Sequence, residues 1–244
     1  EPKLNIAICG GGNLAHASIA CIHHLNPHFK VSLLTRRPEF GKSKLRNTKG
    51  SAWENKGDLV GKIDVCSNNA SEVVSDADII IICSPVHTKN AILKQIVPFV
   101  KEGALIGSIL DKDPLIYKLN LRLVSDSTQE FDNLQSSIRP IHFKAVTYGK
   151  DINIIGPKKF LFACAYPLNN VSYVCNAISQ CYHIPALPVP SFLNLTLCPS
   201  NQIIHCGRVT SFFSQFPEGG NKVLKFKDVP LLYEGLDQAS ADEI

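Results

Sequence analysis

The 244-residue chain contains no methionine, not even at its first position, and no CxxC pair among its nine cysteines. Without an initiator, the sequence reads as a processed or trimmed form. An odd number of cysteines without framework spacing supports neither a zinc site nor a disulfide scaffold. It predicts reduced, mostly buried thiols, Cys9 and Cys83 among them, in a cytoplasmic protein. No apolar run reaches the roughly 18 residues that span a bilayer, so no membrane partner is expected. No secretory-signal pattern opens the chain. The basic residues are scattered and the net charge is only +4, which excludes a nucleic-acid footprint and suits anionic small molecules. Internal repeats and low-complexity tracts are absent. What remains is a globular composition, 45% hydrophobic and 19% charged, long enough for one large domain or two small ones.

The informative feature is at the start. An apolar strand from Lys3 to Cys9 runs into Gly10, Gly11, Gly12, Asn13, Leu14 and Ala15. The spacing Gly-x-Gly-x-x-Ala assigns each small residue a task. Gly10 allows a tight turn, Gly12 lets a pyrophosphate approach the backbone, and Ala15 lets the next helix pack close to a sheet. That helix, expected over residues 13–24, would aim its free N–H groups and positive dipole end at the phosphates.

Strands and helices then alternate. Strands are expected at 30–35, 62–66, 78–83 and 104–110, and helices at 71–76 and 88–100. The run from Asp78 to Cys83 is apolar without interruption, as in a strand covered on both faces. The pattern predicts an α/β fold, a Rossmann-type doubly wound parallel sheet that binds ligands beyond its strands' carboxyl ends. Residues 50–61 read as turn-rich, and residues 111–141 carry no clear element. A short strand is expected at 151–155, another at 160–166 and a helix at 171–182. The stretch 184–190 must be extended, because Pro185, Pro188 and Pro190 exclude helix. From residue 199 to 216 the period is helical. Val209, Phe212, Phe213 and Phe216 form an apolar stripe, while Asn201, His205 and Arg208 lie on a polar one. The expected domains are residues 1–150, binding the dinucleotide, and 151–244.

At the end of the second strand, NAD-binding folds carry a carboxylate for the ribose 2′-hydroxyl. Here the chain reads Thr35, Arg36, Arg37. Two guanidinium groups suit a 2′-phosphate, so the expected cofactor is NADP(H), with NAD(H) as the alternative. Ser84 and Pro85 fall where the fourth strand meets the cofactor cleft, and the following His87 reads as structural. His205 is the candidate proton shuttle, with Asn201 as a hydrogen-bonding amide and Arg208 as a carboxylate anchor. No metal site is expected.

The segment Leu195-Thr-Leu-x-Pro199-Ser-Asn201-x-x-x-His205-x-x-Arg208 resembles the signature of the octopine/nopaline (opine) dehydrogenase family. The segments Gly10 to His16, Gly156 to Lys159 and Leu231 to Gly235 are similar to the same family. The resemblance implies a Rossmann domain followed by a mainly helical catalytic domain. It implies condensation of an amino acid with a 2-oxo acid and reduction of the imine by NADH or NADPH. The family's catalytic histidine corresponds to His205. The family pairs that histidine with an aspartate well over a hundred residues later, and the sequence ends short of that distance. The segment after Leu110 also departs from the family. The helical domain is therefore expected to be truncated. The expected partners are two small molecules, with a homodimer allowed. Alternatives from the residues are an NADP-binding protein without catalysis and a Rossmann reductase of 2-oxo or 2-hydroxy acids.

Overall fold

Aliphatic segments build the centre of the main sheet. The strands β1 (Asn5–Cys9), β2 (Lys30–Leu34), β6 (Ile79–Ile82) and β7 (Leu105–Ile109) are buried almost throughout. β-Branched side chains suit a sheet covered on both faces, since they pack against neighbours without losing much rotamer freedom. The computed structural model describes residues 3–39, 45–47, 60–109, 133–136, 141–147, 151–196, 206, 207 and 210.

The main sheet adds β5 (Val65–Ser67), β8 (Asn133–Ser136), β11 (Leu161–Tyr166) and β12 (Ala186–Pro188). Its order is β12-β11-β8-β7-β6-β1-β2-β5. From β5 to β8 all pairings are parallel. Numbered by their occurrence within this sheet, those six strands run 3-2-1-4-5-6, the order of dinucleotide-binding folds. β11 returns antiparallel to β8, and β12 pairs parallel to β11.

Each face of the sheet has its own core. On one, Ile6, Ile8, Val31, Leu33, Ile79 and Ile81 pack with α1 (Asn13–Leu25) and α4 (Val171–Tyr182). On the other, Ala7, Cys9, Leu34, Ile80, Ile82 and Ile106 pack with α2 (Ala70–Val74) and α3 (Val86–Ile96). The expected doubly wound parallel sheet is therefore present. The helix expected at 88–100 starts two residues earlier and gives way to a 3-10 turn at Val97–Phe99. Pro98 cannot donate an N–H to continue the α ladder.

A second sheet was not legible in the sequence. It has the order β4-β3-β10-β9, from β3 (Leu45–Asn47), β4 (Val60–Gly61), β9 (Ile141–Thr147) and β10 (Asp151–Pro157). The strand expected at 151–155 belongs here, two residues longer and antiparallel to β9. This sheet packs on α1. At Gly61 an added Cβ would lie 2.6 Å from the Ala20 Cα, so strand backbone touches helix backbone. Covered on both sides, α1 is buried at every position from Ala15 to Ile22.

By compactness the chain divides after Thr196, into Glu1–Thr196 and Leu197–Ile244. The reason is physical: β11, β12 and α4 extend the first unit's sheet and core. In the second unit the described residues are Cys206, Gly207 and Thr210, and all three are helical.

Asn26 fastens the carboxyl ends of α1 and α4. Its side-chain amide donates to the carbonyls of Ile22 at 3.1 Å and of Gln180 and Cys181 at 3.2 Å each. Its Oδ1 lies 3.2 Å from Nε2 of His183, a carbonyl-type acceptor facing a ring N–H. His183 itself caps α4 in the left-handed region, at φ 51°. Asn26 is 5% exposed, so an apolar replacement leaves buried carbonyls short of a donor. Asn26→Leu is expected to destabilise the fold by about 2–4 kcal/mol, read from the midpoint of urea unfolding.

Candidate functional site

Three segments leave the main sheet at one level. Register pairs Cys9 with Leu34 on one side and with Ile82 on the other. The next residues, Gly10, Thr35 and Cys83, therefore stand side by side at the carboxyl ends of β1, β2 and β6. Two further bonds hold the ends together: Gly10 N–H donates to Leu34 O at 2.9 Å and Cys83 N–H to Cys9 O at 2.8 Å. Such an edge, where the chain crosses from one face of the sheet to the other, is where open α/β folds take ligands.

The glycines differ in what requires them. Gly10 has φ +134°, and a Cβ there would lie 2.4 Å from the Cys83 carbonyl oxygen. Both backbone conformation and crowding exclude a side chain. Gly12 has φ −87° and ψ −179°, which any residue adopts. Among the described residues, a Cβ on Gly12 would meet nothing within 4 Å. Neither backbone strain nor crowding by the described residues thus requires glycine at position 12.

Gly12 is the N-cap of α1 and offers no side-chain cap, and the first turn holds no acidic residue. The N–H groups of Asn13, Leu14 and Ala15 precede the first intrahelical bond, from His16 N–H to Gly12 O at 3.2 Å. Exposed Gly12 and Asn13 and half-buried Leu14 front an uncompensated positive helix end. Ala15 is fully buried and lets α1 sit close to the sheet.

Beyond β2, buried Thr35 shapes a turn. Its N–H donates to Ser67 O at 3.0 Å, and its Oγ1 accepts from Arg37 N–H at 3.3 Å. Arg36 and Arg37 project from that turn and are both exposed. Beyond β6, the Ser84 hydroxyl is shielded from solvent and has no hydrogen-bond partner among the described residues. Pro85 caps α3, and its carbonyl accepts from the N–H and hydroxyl of Thr88 at 3.0 and 2.8 Å. His87 is exposed.

Two neighbouring residues received no role of their own from the sequence. Lys89 is 1% exposed, on the buried stripe of α3 with Leu93 and Ile96. Its i, i+4, i+7 spacing with those residues was the available signal. Burial pushes the Cys83 thiol up to about 12, against the opposing pull of the Lys89 ammonium. His16, 2% exposed, holds its Nδ1 2.8 Å from Gly12 O. Burial lowers its pKa below the ordinary histidine value, while the Gly12 carbonyl opposes the shift.

The structure thus brings together Gly10, Gly12, Asn13, Leu14, Ala15, Thr35, Arg36, Arg37, Ser84 and Pro85 on one edge. Asn201, His205 and Arg208 lie outside the described residues. Among the described residues no group of three or more His, Cys, Asp or Glu side chains is placed to hold a metal ion, and no helix is long and apolar enough to cross a membrane.

The contrast between the glycines is measurable. Gly10→Ala should cost several kcal/mol of stability or abolish folding, whereas Gly12→Val should change the unfolding free energy by no more than about 1 kcal/mol, the worth of a helix cap. Equal losses in a calorimetric melt would refute the distinction.

A family model described as NADP oxidoreductase, coenzyme F420-dependent, matches residues 5–111. A tauropine dehydrogenase from Arabella iricolor is 20% identical over 252 residues, covering 97% of this chain and 61% of its own length. A structure of octopine dehydrogenase with NADH and pyruvate matches at TM-score 0.74 and 18% identity, over 98% of this chain and 62% of that one. A PanE/ApbA family ketopantoate reductase from Ralstonia eutropha matches at TM-score 0.62 and 15% identity, over 98% of this chain and 73% of that one. The chain spans about three fifths of the length of the curated relatives it matches. The family resemblance carried by the helix signature and the glycine motif therefore extends, at low identity, along nearly the whole sequence: this chain is similar to the opine dehydrogenases.

Proposed function

We propose that the chain is the cofactor-bearing part of an NAD(P)H-dependent opine-dehydrogenase-like oxidoreductase, working in the cytoplasm. The reaction is reductive condensation of an amino acid's amino group with a 2-oxo acid. The observation that carries the cofactor reading is the open space at Gly12, in front of an uncapped helix end on the sheet's switch-point edge. An NADP-oxidoreductase family match over this segment and the NADH in the octopine dehydrogenase structure support it.

The residues present fit a dinucleotide. The N–H groups of Asn13, Leu14 and Ala15 would bind the pyrophosphate, with Gly10 and Gly12 leaving room for it. Arg36 and Arg37, held by the Thr35 turn, would take a 2′-phosphate. The Ser84 hydroxyl and the Pro85 turn would face the ribose and nicotinamide half. When bound, the cofactor supplies a hydride. His205 is assigned the proton at the carbonyl or imine, Asn201 a hydrogen bond to substrate and Arg208 a substrate carboxylate. On this reading residues 1–150, which include the sixth parallel strand, form the dinucleotide half, and residues 151–244 carry part of the catalytic half.

A second reading, a reductase acting on a 2-oxo acid alone, is favoured by the similarity to the ketopantoate reductase. Following NADPH absorbance with amino acid and 2-oxo acid pairs separates the two. Oxidation that needs both substrates supports condensation, and oxidation with the 2-oxo acid alone supports the second reading. Cofactor binding without turnover on any pair would favour a nucleotide-binding protein.

Arg36→Ala/Arg37→Ala should weaken NADPH binding about 10- to 100-fold, since a charge-assisted contact is worth roughly 1.5–3 kcal/mol. NADH binding should barely change; equal losses of both in titration calorimetry would remove the arginines from the 2′-phosphate. In a form that turns over, His205→Asn should lower kcat by about 10²–10⁴-fold and leave NADPH affinity intact. An unaffected kcat would return His205 to a structural role.

A further inference from the structure

The Gly12 carbonyl is held twice. It accepts from the His16 backbone N–H at 3.2 Å and faces His16 Nδ1 at 2.8 Å. A carbonyl oxygen only accepts, so Nδ1 carries the ring proton in this contact. The ring has little freedom to leave: His16 is 2% exposed, on a helix covered by sheets on both sides.

Gripping this oxygen has a consequence one bond away. The peptide between Gly12 and Asn13 is planar and trans, so its C=O and N–H point in opposite directions. With the oxygen drawn into the helix by two donors, the Asn13 N–H is turned outward. It points out of the amino end of the helix, away from the ladder of intrahelical bonds. Asn13 is also the first residue of α1, so that N–H has no intrahelical acceptor.

We propose that His16 is a positioning residue for the pyrophosphate site: its ring N–H fixes the Gly12–Asn13 peptide plane and so pre-orients the Asn13 N–H toward the ligand. The inference rests on the dinucleotide reading given above. His16 touches no ligand. It acts through the Gly12 carbonyl, and its burial makes the orientation permanent, not induced.

The test uses titration calorimetry of the full chain with NADPH, NADH and ADP-ribose, all of which carry the pyrophosphate. His16→Leu fills a similar volume without the donor, and should weaken all three about five- to tenfold, the worth of one hydrogen bond. His16→Asn places an amide N–H where Nδ1 stood and should restore affinity. His16→Gln carries its amide one methylene further out and should not. Unfolding midpoints are measured alongside, and the affinity pattern should not follow them. If His16→Leu does not fold, the Asn and Gln variants carry the same comparison. Equal affinities of wild type and His16→Leu, or of the Asn and Gln variants, overturn the proposal while leaving the dinucleotide reading intact. Failure of the wild-type chain to bind any of the three ligands overturns the dinucleotide reading itself.

Discussion

The closest approach in the site is at Gly10, where the ends of β1 and β6 leave no room for a methyl group. Everything at the candidate site depends on that approach. Because the two strands stay paired to their last residues, the chain must turn out of β1 within one residue, at a φ that glycine alone adopts freely. The turn delivers Gly12 to the start of α1, and α1 starts beside the loops that follow β2 and β6. A wider separation of the strands would still allow a Rossmann sheet. It would not bring the helix end, the Thr35 turn and Ser84 to one edge.

Much of this was legible because the signals are local. Uninterrupted apolar runs at Ile79–Ile82 and Leu105–Ile109 announced buried parallel strands, and the glycine spacing announced the turn. The residues of α4 were found by period alone, and the three prolines after it marked an extended segment that pairs as β12. The second sheet escaped because β3 and β4 are only three and two residues long and β3 meets its partner β10 far along the chain. β3 pairs with β10 across roughly a hundred residues, and no periodicity in either segment encodes that meeting. β8 escaped for a different reason: Asn133, Gln135 and Ser136 give it the composition of a loop, and its place in the sheet comes from pairing with β7.

The site was legible in its residue types and not in its connections. Glycine, arginine and serine at the strand ends could be named from spacing. The sequence could not distinguish a glycine needed by the fold, Gly10, from one the fold leaves free, Gly12. That distinction lives in the position of the Cys83 carbonyl, 73 residues away in sequence. His16 was read only as part of a family motif, since nothing in the sequence says that its ring turns back to a carbonyl four residues earlier. Lys89 carries a charge on a stripe otherwise given to Leu93 and Ile96, a mismatch visible in the pattern but without a meaning until its burial was seen.

The double cover of α1 has a thermodynamic side. A helix whose residues 15–22 are all buried, with Gly61 pressed against its backbone, exchanges its amide protons only when a large part of the unit opens. Its amino terminus is thus anchored by the fold itself through the buried residues that follow it. On the proposed dinucleotide reading, a ligand meeting that helix end would find its donors already ordered. Little of its binding free energy is consumed in arranging them, so the entropic part of recognition is settled when the protein folds.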